Sequence, residues 1–226
     1  MENDIKLAVF DIAGTVLSDK DFVAISFTKA FQHYGIDLRV SEITPLMGYK
    51  KTEAIKLVLQ GKGILFDDKM VDDVHIHFVK SMIHFYSKSN EVEELPGASY
   101  IFKHLQSSGV YVSLNSGFPK VIVEAIVDRM GWLGKGLIDS FVASDEVASG
   151  RPSSLMIELL MKRAGITNTH QVLKIGDTMV DIEEGRNAKA GLVIGITTGA
   201  YTRNQLEEYN PDHIIDSLFE LEKLIS

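Results

Sequence analysis

The chain has 226 residues, 45% hydrophobic and 24% charged, which is the composition of a soluble globular protein, and a length that suits one large domain or a core with an insert. Its net charge of -8 argues against a phosphate-backbone footprint, and the absence of cysteine excludes disulfides, thiolate catalysis and a Cys-ligated metal. No run approaches the ~18 apolar residues of a membrane span, and Met1 to Asp4 lack the basic start of a signal peptide, so a cytoplasmic protein without membrane or nucleic-acid partners is expected.

Residues 5–10 (IKLAVF) form a short apolar run ending at Asp11 and a Gly14-Thr15 turn, the pattern of a buried strand that delivers a residue at its carboxyl end. From about residue 19 to residue 90 apolar side chains fall at helical spacing, predicting helices at 22–34, 51–60 and 68–86. His75 and His77 are two apart there, which on a helix points them to different faces and argues against a shared metal. Leu95-Pro96-Gly97 punctuates the chain before the pattern changes again. Beyond it, strands predicted at 110–114, 172–175 and 192–196, with 141–143 as a further short candidate, alternate with helices at 98–107, 119–130, 153–164 and 180–190. Such alternation indicates βαβ units with right-handed crossovers. The expected fold class is therefore α/β, a Rossmann-like parallel sheet formed by residues 1–18 and 94–226, with residues 19–93 as a helical insert. Its active site would lie beyond the carboxyl ends of the strands.

Four constellations fall at those ends. The first is Asp11-Ile12-Ala13-Gly14-Thr15, which in isolation is often only a turn. The second, Gly176-Asp177-Thr178-Met179-Val180-Asp181, sets two carboxylates four apart at a strand end and in a first helical turn, where they can face one hard cation or simply cap the helix. The third, Asn115-Ser116-Gly117, offers a hydroxyl and backbone N–H groups at a helix start, a ready anion site or an ordinary N-cap. In the fourth, Ser149-Gly150-Arg151-Pro152, Arg151 has the fork of donors that neutralises phosphoryl oxygens, or is a solvated surface residue.

In chain order the four resemble the motifs of the haloacid dehalogenase superfamily: a nucleophilic Asp, a Ser/Thr, a Lys/Arg and a pair of acids. Within it the chain is similar to the phosphonatase-like branch that includes phosphonoacetaldehyde hydrolase, through DIAGT (11–15), MGYKK (47–51), NSGF (115–118), SGRP (149–152), GDTMVDIEEGRNA (176–188) and TGAYTRNQL (198–206). The resemblance implies a Mg2+-dependent hydrolase with the insert as a cap over the site. Asp11 would be nucleophile and magnesium ligand, with the backbone carbonyl of Ala13 and the side chain of Asp177 as further ligands and Asp181 in the same cluster orienting a metal-bound water. Asn115, Ser116, the Gly117 amide and Arg151 would hold phosphate, and an aspartyl-phosphate would form and be hydrolysed. A homodimer through cap helices is a further expectation of the family.

One departure selects among chemistries. Superfamily phosphatases carry a second Asp two positions after the nucleophile to protonate the leaving alkoxide, and here that place is Ala13. Ester cleavage would lose acid assistance worth roughly 10² to 10⁴ in rate. The phosphonatase resemblance accounts for the alanine, because there a cap lysine, matched by Lys51, makes the leaving carbon labile as a Schiff base. Ala54 stands where that motif has a histidine, so proton transfers around an imine need another group or water. Adjacent Lys50 is expected to help lower the pKa of Lys51 if both enter a desolvated cleft. The leading reading is phosphate release from a small phosphonate or phosphorylated metabolite. The alternatives are a phosphomonoesterase of the phosphoglycolate type and a non-catalytic binding protein.

Overall fold

A computed structural model of the protein describes residues 4–225; Met1 to Asn3 and Ser226, which the expected core and opening tetrapeptide include, lie outside the described residues. Strand β1 (Leu7–Phe10) is apolar throughout because it is covered on both faces. Ala8 and Phe10 enter one cluster with Phe102 of α5 (Ala98–Ser107), whose ring lies 5.3 Å from that of Phe10. Leu7 and Val9 enter a second cluster with Met156, Ile157 and Leu160 of α7 (Leu155–Ala164).

Around β1 stand β2 (Tyr111–Ser116), β3 (Ser140–Ala143), β4 (Val172–Gly176), β5 (Leu192–Ile196) and β6 (His213–Ile215). All pair in parallel, in the order β3-β2-β1-β4-β5-β6. Phe10 is level with Leu114 on one side and Ile175 on the other, so the three strands end together. The order reverses between β1 and β4, and doubly wound sheets bind ligands in the crevice such a reversal opens. The Asp11 amide donates to the Ile175 carbonyl at 2.9 Å, which holds Asp11 at the mouth of that crevice. β6 was not anticipated: it has three residues between Asp212 and Asp216, too few to show a pattern. Helices α6 (Lys120–Met130) and α8 (Met179–Asn187) lie between the strands, and the short α9 (Arg203–Glu207) and α10 (Glu222–Ile225) follow β5 and β6.

Between β1 and α5 run α1 (Phe22–Gln32), α2 (Val40–Ile43), α3 (Lys51–Gly61) and α4 (Asp68–Lys88), with no described strand among them. The links into and out of this insert are joined to each other. Ser18 N donates to Glu93 O at 3.0 Å and Leu95 N to Val16 O at 2.9 Å, flanking an antiparallel bridge between Leu17 and Glu94. The Asp67 side chain caps α4 by accepting from Met70 N at 2.9 Å. This helix lies against α1, α3 and α6. Its fully buried Phe78 sits 5.5 Å from Phe27 of α1 and 6.3 Å from Phe118, the residue that follows the Ser116-Gly117 turn. One apolar cluster therefore runs from the insert into the core. No described helix is long and apolar enough to cross a membrane.

Phe78→Ala empties a site where insert and core meet, and is expected to cost about 3–5 kcal/mol of stability. A urea titration checks this as a lower midpoint at unchanged slope.

Candidate active site

The shared ends of β1, β2 and β4 present Asp11, Ser116 and Asp177 to one cavity of about 350 Å³, which Ala13, Gly117, Phe118, Asp19 and Lys51 also line. That volume suits a small metabolite. Glycine is required at two places in its wall. Gly14 has φ +88°, and a Cβ there would stand 2.6 Å from Asp177 Oδ2. A Cβ on Gly117 would strike the carbonyls of Gly48 and Tyr49, so the loop before α3 rests on the backbone of the Ser116 turn.

Asp11, Asp177 and Asp181 each offer a carboxylate oxygen within 4.8 Å of the others. Burial pushes the Asp177 carboxyl well above the usual range, and the negative charges of Asp11 and Asp181 add to it. Burial raises Asp11 too, against the pull of Arg151. Burial acts on Asp181 in the same sense, but Arg151 and Lys174 outweigh it and hold that carboxyl low. Crowded, buried carboxylates of this kind could hold a hard divalent cation, whose charge would relieve the crowding. Asp11 and Asp177 line the cavity; Asp181 stands behind them. Its Oδ2 accepts from Thr178 Oγ1 at 2.6 Å, and its Oδ1 meets Arg151 at 3.0 Å and Lys174 at 2.9 Å as charge contacts without aligned hydrogen bonds. Asp177 is anchored by Ala200 N, which donates to its Oδ2 at 2.7 Å.

Arg151 and Asn115, both expected to bind phosphate, are wholly buried and do not line the cavity. Arg151 donates to Asp11 Oδ1 at 2.5 Å, to Glu184 Oε2 at 3.1 Å and to the carbonyl and side-chain oxygens of Asn115. It braces Asp11 without itself lining the cavity that Asp11 faces. Burial opposes its charge, yet Asp181, Asp11 and Glu184 raise its pKa above the ordinary arginine range. Asn115 donates to both Glu184 oxygens at 2.8 and 2.9 Å and accepts from Lys174 Nζ at 2.8 Å. Lys174 also contacts Glu184 at 3.1 Å. Two cations and three carboxylates thus close into one dry cluster. Lys174 and Glu184 escaped the sequence reading; the available signal was a lysine set inside an apolar strand.

Lys51 opens α3 and is 3% exposed. Burial pushes its ammonium down to about 8, with Arg151 acting the same way against the pull of Asp11, Asp19 and Asp177. Its Nζ donates to Tyr49 O at 3.4 Å and lies 5.3 Å from the centre of the Phe118 ring. Lys50, expected to assist, instead donates to Val147 O at 3.4 Å, and the cation that acts on Lys51 is Arg151.

Residues 8–195 match the family model described as haloacid dehalogenase-like hydrolase, and the chain belongs to that family. Its similarity extends to phosphonoacetaldehyde hydrolase of Parabacteroides distasonis, 31% identical over 219 residues that cover 89% of this chain and 80% of that one. Two crystal structures share the fold. A hydrolase from Pseudomonas syringae superposes with a TM-score of 0.87 at 18% identity, covering 98% of this chain and 100% of its own. A phosphonoacetaldehyde hydrolase-like protein from Oleispira antarctica does so with 0.85 at 19% identity, covering 99% and 92%.

Glu184→Gln removes one of the three carboxylates that offset Arg151 and Lys174, and breaking a buried pair from one side costs about 3–5 kcal/mol. A loss of that size is expected in chemical denaturation, whereas a surface pair such as Lys69–Asp73 is expected to contribute under about 1 kcal/mol when broken.

Proposed function

We propose that this hydrolase releases phosphate from a small phosphonate that carries an aldehyde next to the C–P-bonded carbon, phosphonoacetaldehyde being the test case. The observation that carries this reading is Lys51, a buried amine held near pKa 8 in the same cavity as Asp11, combined with an Ala13 that has no proton for an ester leaving group. The Lys51 amine would add to the aldehyde carbon and form an iminium as water departs. Attack of Asp11 on phosphorus would then break the C–P bond, its electron pair flowing into the iminium to give an enamine. Protonation and hydrolysis of the enamine would free the aldehyde product and Lys51, and water would hydrolyse the aspartyl-phosphate. Arg151 would keep Asp11 ionised and aimed, while Ser116 and the Gly117 amide would face phosphoryl oxygens. Asp11, the carbonyl of Ala13 and Asp177 would hold Mg2+, with Asp181 behind them, and the ion when bound would offset the repulsion between carboxylate and phosphonate. The helical insert would act as the cap, bringing Lys51 to the substrate.

With Mg2+ present, phosphate release from phosphonoacetaldehyde is expected, and is expected to be abolished by Lys51→Ala, by Asp11→Asn, and by borohydride added with substrate. Release only from phosphomonoesters such as phosphoglycolate, insensitive to Lys51→Ala but lost in Asp11→Asn, would overturn the phosphonate reading and leave a phosphatase.

A further inference from the structure

Imine formation at Lys51 needs a proton delivered to the hydroxyl that leaves as water, and Ala54 beside it has none to give. Among the titratable residues that line the cavity beside Lys51 itself, Asp11 and Asp177 belong to the carboxylate trio that could hold a metal ion, Lys20 is held by Glu93 at 2.6 Å, and Asp21 is exposed. That leaves Asp19, at the point where the chain passes from the core into α1. Its Oδ1 accepts from Val23 N at 3.0 Å, which fixes the carboxylate, and its Oδ2 carries no hydrogen bond among the described residues.

We infer that Asp19 is the proton-transfer residue of this site, carrying a proton from the Lys51 ammonium to the departing hydroxyl; the inference rests on the phosphonatase reading. The steps balance as follows. Lys51 ammonium gives a proton to the Asp19 carboxylate, and the free amine adds to the aldehyde carbon. The nitrogen proton passes to the alkoxide to give the carbinolamine. Asp19 then returns its proton to that hydroxyl as the C–O bond breaks, leaving iminium, water and the carboxylate. Burial raises Asp19 to about 6 against the pull of Val23 N and Lys51, so donor and acceptor approach each other near neutral pH. The charged and titratable groups facing Asp19 are Lys51 on α3, Asp11, Asp21 and Tyr86 on α4. Those facing Lys51 add Arg151, Asp177 and His75, and His75 does not line the cavity.

The test compares the full-length wild type, Asp19→Asn, His75→Gln and Lys51→Ala with phosphonoacetaldehyde and Mg2+. Asparagine keeps the oxygen that caps α1, and a thermal melt verifies the fold. Asp19→Asn is expected to lower kcat roughly a hundredfold or more with little change in KM, and to slow borohydride trapping of Lys51 by the same factor. Wild-type kcat/KM should rise to about pH 6, stay level, and fall above about pH 8, because the pair must share one proton. In Asp19→Asn the fall above pH 8 should vanish, while His75→Gln should keep the wild-type profile. Full kcat with the alkaline fall intact in Asp19→Asn, or loss of that fall in His75→Gln, would overturn the role of Asp19 while leaving the phosphonatase reading standing. Wild type that borohydride cannot trap would overturn that reading itself, and this inference with it.

Discussion

Arg151 bears a full charge at zero exposure, and what permits this is the closing of Asp11, Asp181 and Glu184 around its guanidinium. The partners come from separate parts of the chain: the end of β1, the first turn of α8 and the middle of that same helix, with Asn115 from the end of β2. Bringing them to one point requires the parallel register in which Phe10, Leu114 and Ile175 are level. The cluster and the sheet are thus one requirement. An uncompensated charge there would cost several kcal/mol, and removing water is what lets each short contact act at low dielectric.

The same cluster divides labour within the acids. Asp181 is held low by the two cations and stays an anion that others lean on, while Asp177, in no salt bridge among the described residues, is pushed up by burial and by Asp11 and Asp181. Charge is therefore most strained at the lip of the cavity, where an ion or substrate can respond, and most satisfied behind it. Lys51 reaches that lip from the insert, and its low pKa follows from burial beside a cation rather than from a neighbour in sequence.

Much of this was legible from residues alone, for reasons that differ by element. β1, β4 and β5 announced themselves because strands covered on both sides read as nearly continuous apolar runs, interrupted in β4 by Lys174. The ends of those runs marked Asp11 and Asp177, and the parallel sheet gathered them. β6 was invisible because three residues cannot establish a period. The direction of Arg151 was also beyond reach: a motif says that an arginine stands near the site, but whether it faces the cavity or the floor depends on Glu184 and Asn115, which contact it across long separations. Asp19 marked only the start of the insert in the sequence, and it is the folded chain that sets it in the wall of the cavity that Lys51 also lines.

The chain leaves the core at Leu17 and returns at Glu94, and these two residues are bridged to each other. A detour whose two ends are stitched together transmits little tension to the sheet, whatever its length or content. The helical segment thus enters and leaves the core at one point, and its further hold on the core runs through α4 against α6 and the rings of Phe78 and Tyr86 against Phe118. A shift of those helices would reach the cavity wall where Phe118 meets their rings and where the loop before α3 rests on Gly117.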